Sequence, residues 1–133
     1  MKKMNFFLPV GFILLSSVIL FSSCKKKSTE PEPVPAPTFL MSSIPDPANA
    51  NNIIFEFKCT TNDVKLTKVV ITDPLASGSD TYDLQGAIAL QNQIYTFTTP
   101  YLKATGKWTF VFTGNRTNDN SGFTSTSYLT VAK

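Results

Sequence analysis

Few side chains in this sequence can do covalent or proton chemistry, and their types narrow what that chemistry could be. There is no histidine, so the commonest general base and the commonest metal ligand are both missing. The two cysteines are Cys24 and Cys59, too few for a disulfide framework once one of them has another role. Cys59 ends the run IIFEFKC and shares parity with Phe55 and Phe57. With no basic group on that face to make a thiolate, it reads as a small buried hydrophobe. Asp73, Asp80 and Asp83 fall together in DPLASGSDTYD. Carboxylates on a loop can hold calcium, which takes six to eight oxygens, but this spacing fits no calcium loop, and aspartate favours turns for local hydrogen-bonding reasons. The segment NRTNDNSG offers further oxygens from Asn115, Asp119 and Asn120, and turn chemistry again accounts for them better. As the longest loop between two well-marked strands, it is the candidate contact surface, through Asn115, Arg116, Asn118, Asp119 and Asn120.

No phosphate-cradling glycine loop, Gly-x-Ser-x-Gly elbow or Cys–His pair is present. Two converging carboxylates are the one catalytic route left open, and nothing singles out a pair. The expectation is therefore no enzyme, no metal and no cofactor. Beyond Thr38 the charges balance at seven basic against seven acidic residues. A neutral domain cannot grip a phosphate backbone, so nucleic acid is not an expected partner.

The elements that must carry these residues read as strands. Ile53, Phe55, Phe57 and Cys59 alternate with Ile54, Glu56 and Lys58; Trp108, Phe110 and Phe112 alternate with Lys107, Thr109 and Thr113. That is the period of a half-buried strand. It puts Trp108 in the core rather than on a surface where it could stack on a sugar. Phe123, Leu129 and Val131 share a parity, and 65–72 and 94–98 are β-branched and aromatic. Turn signals separate them: Pro45-Asp46-Pro47, Asn51-Asn52, Asp73-Pro74, Gly78, Gly86, Asn92, Pro100, Gly106 and 118–122. Residues 87–91 make a single helical turn at best. About seven short strands over residues 38–133 predict an all-β, immunoglobulin-like two-sheet sandwich.

Upstream, Lys2 and Lys3 precede a 16-residue apolar run, Phe6 to Phe21, which leads into Ser22, Ser23 and Cys24. A basic end, an apolar stretch too short to span a bilayer and small residues before a cut make a secretory signal. The ending FSSC resembles the lipobox of bacterial lipoproteins, with Phe21 where that family most often has leucine; Bacteroidota-type members tolerate this. The resemblance implies cleavage between Ser23 and Cys24, and acylation of Cys24 as the membrane anchor. Residues 1–23 are then the signal peptide and 24–37 the lipidated tether. The tether, KKKSTEPEPVPAP from Lys25 to Pro37, has prolines at 31, 33, 35 and 37, so it is expected to be an extended spacer without a core. Its lysines either add about 1 kcal/mol each on anionic lipid or merely follow the cut. Surface-displayed relatives carry acids there, so lysines point to the periplasmic face of the outer membrane, with surface exposure left open.

Within the domain, LKATGKWTF (102–110) resembles the turn into strand F of immunoglobulin, fibronectin type III and PKD-like domains. The resemblance implies Trp108 at the aromatic place, Phe110 at the inward place and Cys59 opposite it, with no disulfide. The expected function is a lipid-anchored envelope protein whose small sandwich binds or supports an assembly without catalysis. Its rivals are a glycan or small-ligand module using Tyr82, Tyr95 or Tyr101, and an enzyme with an unrecognised carboxylate site.

Overall fold

Alternating apolar and polar residues over most of the chain leave strands as the only elements that can bury one face and wet the other. The computed structural model describes residues 32–133. Residues 1–31, and with them the expected signal peptide, Ser23, Cys24 and Lys25–Lys27, lie outside the described residues. Eight strands follow one another: β1 Phe39–Asp46, β2 Asn49–Cys59, β3 Val64–Thr72, β4 Ser79–Ala89, β5 Ile94–Thr96, β6 Tyr101–Leu102, β7 Gly106–Arg116 and β8 Gly122–Val131. All pairings are antiparallel. One sheet has the order β1-β2-β5, with β6 also on β2; the other has the order β4-β3-β7-β8. The described residues form an all-β sandwich of two four-stranded antiparallel sheets.

The inward parities of the two sheets make one core. Phe55 packs edge-on against Phe110 at 5.0 Å and Trp108 at 4.8 Å, and Phe39 stacks on Phe112 at 4.0 Å. The parities expected for Phe55, Phe57, Cys59, Trp108, Phe110 and Phe112 all hold: each is buried. The pairing across the sheets is corrected. Phe55, not Cys59, faces Phe110, and at about 3.3 Å per residue Cys59 lies roughly 13 Å further along β2. Cys59 is a free buried thiol, its sulfur 3.8 Å from the Thr61 hydroxyl.

Three local features depart from the sequence reading. Asn51 and Asn52 lie inside β2, so the chain reverses earlier, at Pro47-Ala48, where Asp46 Oδ1 accepts from Ala48 N at 2.9 Å. Residues 87–89 belong to β4, not to a helical turn. The compact unit starts at Val34 rather than Thr38: Pro37 is fully buried, so the end of the proline segment is part of the fold.

Register fixes the two ends of the sandwich. At one pole lie the start of β1, the end of β2, the start of β3, the end of β4 and the β7–β8 hairpin. They are tied by Thr60 N to Thr38 O at 2.9 Å, Asn92 N to Cys59 O at 2.7 Å and Thr117 Oγ1 to Asp63 O at 2.9 Å. The chain comes in here, so we term it the stem pole. At the opposite pole lie the β1–β2 turn, the β3–β4 loop (73–78) and the segment 103–105 before β7.

Candidate functional site

The expected contact loop is at the stem pole and is smaller than the sequence suggests. Asn115 and Arg116 belong to β7, and the hairpin closes over 117–121, with Arg116 N donating to Ser121 O at 3.0 Å. Asn120 takes φ of +57°, a left-handed conformation that asparagine tolerates. Asp119 Oδ1 accepts from Ser121 N at 2.9 Å and from Ser121 Oγ at 2.6 Å, and these bonds lower its carboxyl below the usual carboxylate range. Asn115 Nδ2 donates to Asn120 O at 3.0 Å. Asn118, Asp119 and Asn120 are exposed, but most of the loop's polar capacity closes the turn.

Arg116 is not a surface contact; it is only 7% exposed. Its Nη2 donates to Val34 O and Pro35 O, both at 2.7 Å, and its Nη1 to Ser121 Oγ at 2.8 Å, with Asp119 Oδ2 at 3.6 Å. The inward parity of β7 carries it there, in step with Trp108, Phe110, Phe112 and Gly114. A planar fork with several donors suits two adjacent carbonyls better than an ammonium does. The guanidinium therefore clamps the incoming stem to the hairpin. Arg116→Ala should cost about 1.5–3 kcal/mol, the range for hydrogen bonds to a charged group. Hydrogen exchange or limited proteolysis should find residues 34–38 opened while the strands stay protected. Arg116→Lys should rescue little of this; full protection of the stem in either variant would refute the clamp.

At the far pole a cleft of about 450 Å³ opens between the β3–β4 loop, the start of β4, β6 and the segment before β7. Its floor is Ile71 and Trp108; its rim carries Leu75 and Leu102, which are 82% and 72% exposed. Two of the three aspartates singled out in the sequence, Asp73 and Asp80, line it. Asp73 shapes the loop: Oδ1 accepts from Leu75 N at 2.8 Å and Ser77 N at 3.3 Å, and Oδ2 from Ser77 Oγ at 2.7 Å. The Ser77 hydroxyl, ahead of the backbone donors, lowers its carboxyl below the usual range. Asp83 lies on β4, away from the cleft, and accepts from Gln85 N at 3.1 Å. Turn chemistry thus accounts for Asp73, Asp83 and Asp119. Among the described residues no group of three or more acids and cysteines is placed to hold a metal ion.

Tyr101, half-buried in the cleft wall, donates its hydroxyl to the Tyr82 hydroxyl at 3.0 Å. Burial first, then that hydrogen bond and the charge of Asp80, push its phenol well above the usual tyrosine range. The phenol stays a neutral donor and acceptor throughout ordinary pH. Its ring is packed against Phe55 at 5.4 Å and Trp108 at 5.5 Å. Comparison with protein-family models, curated proteins and solved structures finds no match. The site therefore rests on its own geometry. Tyr82 and Tyr95 border a second, smaller and more apolar hollow of about 190 Å³ between β4 and β5. There Tyr95 stacks on Phe57 at 5.4 Å and accepts from Leu90 N at 2.8 Å. The three tyrosines are thus brought to two hollows, each half in the core, and no stacking platform is formed by all of them. Sequence reasoning missed Leu75 and Leu102. An apolar residue in a turn-rich loop gives no periodic signal; only its exposure in the fold marks it.

Proposed function

We propose that this chain is a lipid-anchored lipoprotein of the cell envelope whose sandwich domain binds or supports a protein assembly without catalysis of its own. Support for the anchor comes from the apolar run ending in Ser22-Ser23-Cys24 and the proline spacer that follows. One observation carries the binding half of the reading. The stem joins the domain at one pole, and the larger cleft, with its exposed leucines, opens at the other. On this reading nine residues, 25–33, separate Cys24 from the clamped Val34, at most about 28 Å of chain if fully extended at 3.1 Å per residue. Attachment through the stem pole leaves the far pole free for partners. In this reading the hairpin at 117–121 is the poorer contact surface, because most of its polar groups close their own turn. Lys25–Lys27 then lie at headgroup level, on the periplasmic face of the outer membrane in this reading.

The carboxylate-enzyme reading gains a concave site with two acids, but Asp73 is committed to its turn as an acceptor with a lowered pKa, the reverse of what a general acid needs. The glycan reading needs open aromatic faces. Trp108 is 3% exposed and Tyr101 is packed on two rings, so neither offers one.

Cys24→Ser tests the anchor. The thiol is the acyl acceptor that a lipobox requires, and the apolar run is too short to serve as a span. Metabolic labelling with a fatty acid should mark the wild-type chain and leave the variant unlabelled, unprocessed or soluble after export. Label retained in Cys24→Ser would contradict the reading.

A further inference from the structure

Resting on the reading of the domain as a binding module, we propose that the far-pole cleft takes an apolar peptide segment of a partner protein, and that a lysine or arginine in that segment pairs with Asp80. The chemistry of the walls selects this occupant. Leu75 and Leu102, at 82% and 72%, are the two most exposed large apolar side chains among the described residues, and both belong to this one cleft. Exposed apolar side chains grouped at a hollow mark a contact surface. The cleft volume of about 450 Å³ falls in the range of sites that enclose a compact ligand or side chain, roughly 300–1,000 Å³. The leucines, however, stand out at its rim, where a larger partner would cover them.

Charge fixes the rest. The residues lining the cleft include two carboxylates, Asp73 and Asp80, and no lysine or arginine. The domain as a whole is balanced at seven acidic and seven basic residues, so this negative lining is local. Asp73 spends its oxygens on Leu75 N, Ser77 N and Ser77 Oγ. Asp80, on β4 opposite Ile71, is exposed, and among the described residues it has no ion-pair partner. Its negative charge reaches the Tyr101 hydroxyl and helps to keep that phenol protonated. A cation on an apolar stem fits such a site: the methylenes lie along apolar walls and the charged head meets the acid. An acidic segment would be repelled.

Trp108 is the one tryptophan of the chain and lies in the cleft floor, so its emission reports occupancy. The lipoprotein, reconstituted in phosphatidylcholine vesicles with Cys24 acylation verified in the same sample, is titrated with capped Leu-Lys-Leu and Leu-Arg-Leu peptides. Leu-Met-Leu and Leu-Glu-Leu serve as controls. The basic peptides should shift the emission saturably in the millimolar range or below, about two- to fivefold more tightly than the methionine peptide, as for an exposed ion pair, with the glutamate peptide weaker still. Asp80→Asn, a change at an exposed position, should erase the preference for the basic peptides. Leu102→Ser should weaken all of the peptides together. No saturable shift with either basic peptide, equal affinity for the uncharged one, or a shift produced by concentrating the protein alone would each overturn the assignment. None of these outcomes touches the anchor, because acylation is measured separately.

Discussion

Trp108→Ala is expected to take away a large part of the domain's stability. The indole is 3% exposed and sits between the sheets, with Phe55 at 4.8 Å and Tyr101 at 5.5 Å, and its Nε1 donates to Ala104 O at 3.0 Å. That bond ties the segment before β7 to the strand it leads into, so the same residue fills the core and holds one wall of the cleft. Truncating a buried tryptophan costs about 3–5 kcal/mol, against the 5–15 kcal/mol of a typical domain. With a urea dependence of about 1 kcal/mol/M for a small domain, the midpoint should fall by about 3 M or more. Circular dichroism is the suitable readout, since the fluorophore is removed. Trp108→Phe keeps a ring but loses the donor, and should cost distinctly less. A Trp108→Ala chain with the wild-type midpoint would mean that β7 does not pack as described.

The stretches legible in the sequence are those where one face is buried without interruption. β7 keeps a strict parity from Trp108 to Arg116, and β2 from Ile53 to Cys59, so their core residues could be named from alternation alone. β3 was legible only as a β-branched run, because its inward parity flips. Val64 and Leu66 point in, then Val69 and Ile71. The register shift between Leu66 and Lys68 absorbs the extra residue Thr67, whose hydroxyl donates to Thr113 O at 2.9 Å. A bulge reverses parity without leaving a composition signal. The turn-rich stretch DPLASGSDTYD hides β4 in the sequence. β4 is an edge strand of its sheet, so its faces are only partly buried. The bulge beside it also leaves Gln85 and Gly86 at positive φ. The turn signal Pro45-Asp46-Pro47 at its end masks β1 in the sequence; proline is admissible there because β1 is also an edge.

The candidate site was half legible for a related reason. Asp73 and Asp80 could be picked out as oxygen-bearing residues, but their meeting in a cleft with Tyr101 and Leu102 depends on β6 returning to pair with β2 at Asn52 and Ile53. Two-residue strands have no period to read. The Asn, Thr and Asp neighbours of Arg116 give it a loop's local composition, but its inward parity in β7 overrides that. A charged residue at the end of an apolar face is buried only when carbonyls are there to receive it, and those come from Val34 and Pro35, over 80 residues away in sequence.

The bulge in β3 also sets the second large effect, Gly114→Ala. Gly114 continues the inward face of β7 and is buried opposite Leu66, where the register shift presses β3 against it. A Cβ there would collide with Lys65 O and come within 3.0–3.1 Å of Lys65 C and Leu66 Cα. All three are backbone atoms of the neighbouring strand, so no side-chain rotation relieves the collision. The strands must separate locally or the bulge must migrate. Overpacking of this kind costs about 1–3 kcal/mol where side chains can yield; here the yielding part is a central β3–β7 ladder, and a loss at or above the top of that range is expected. Moving the bulge by one residue would turn Leu66 or Val69 outward and expose a core side chain. Gly122→Ala is the control: a methyl at Gly122 meets nothing closer than 3.9 Å, so its melting temperature should stay close to that of the wild type. The two alanine variants, compared by thermal unfolding, add the same methyl group to the same hairpin. A wild-type melting temperature for Gly114→Ala would mean that β3 and β7 do not approach as closely as the shifted register requires.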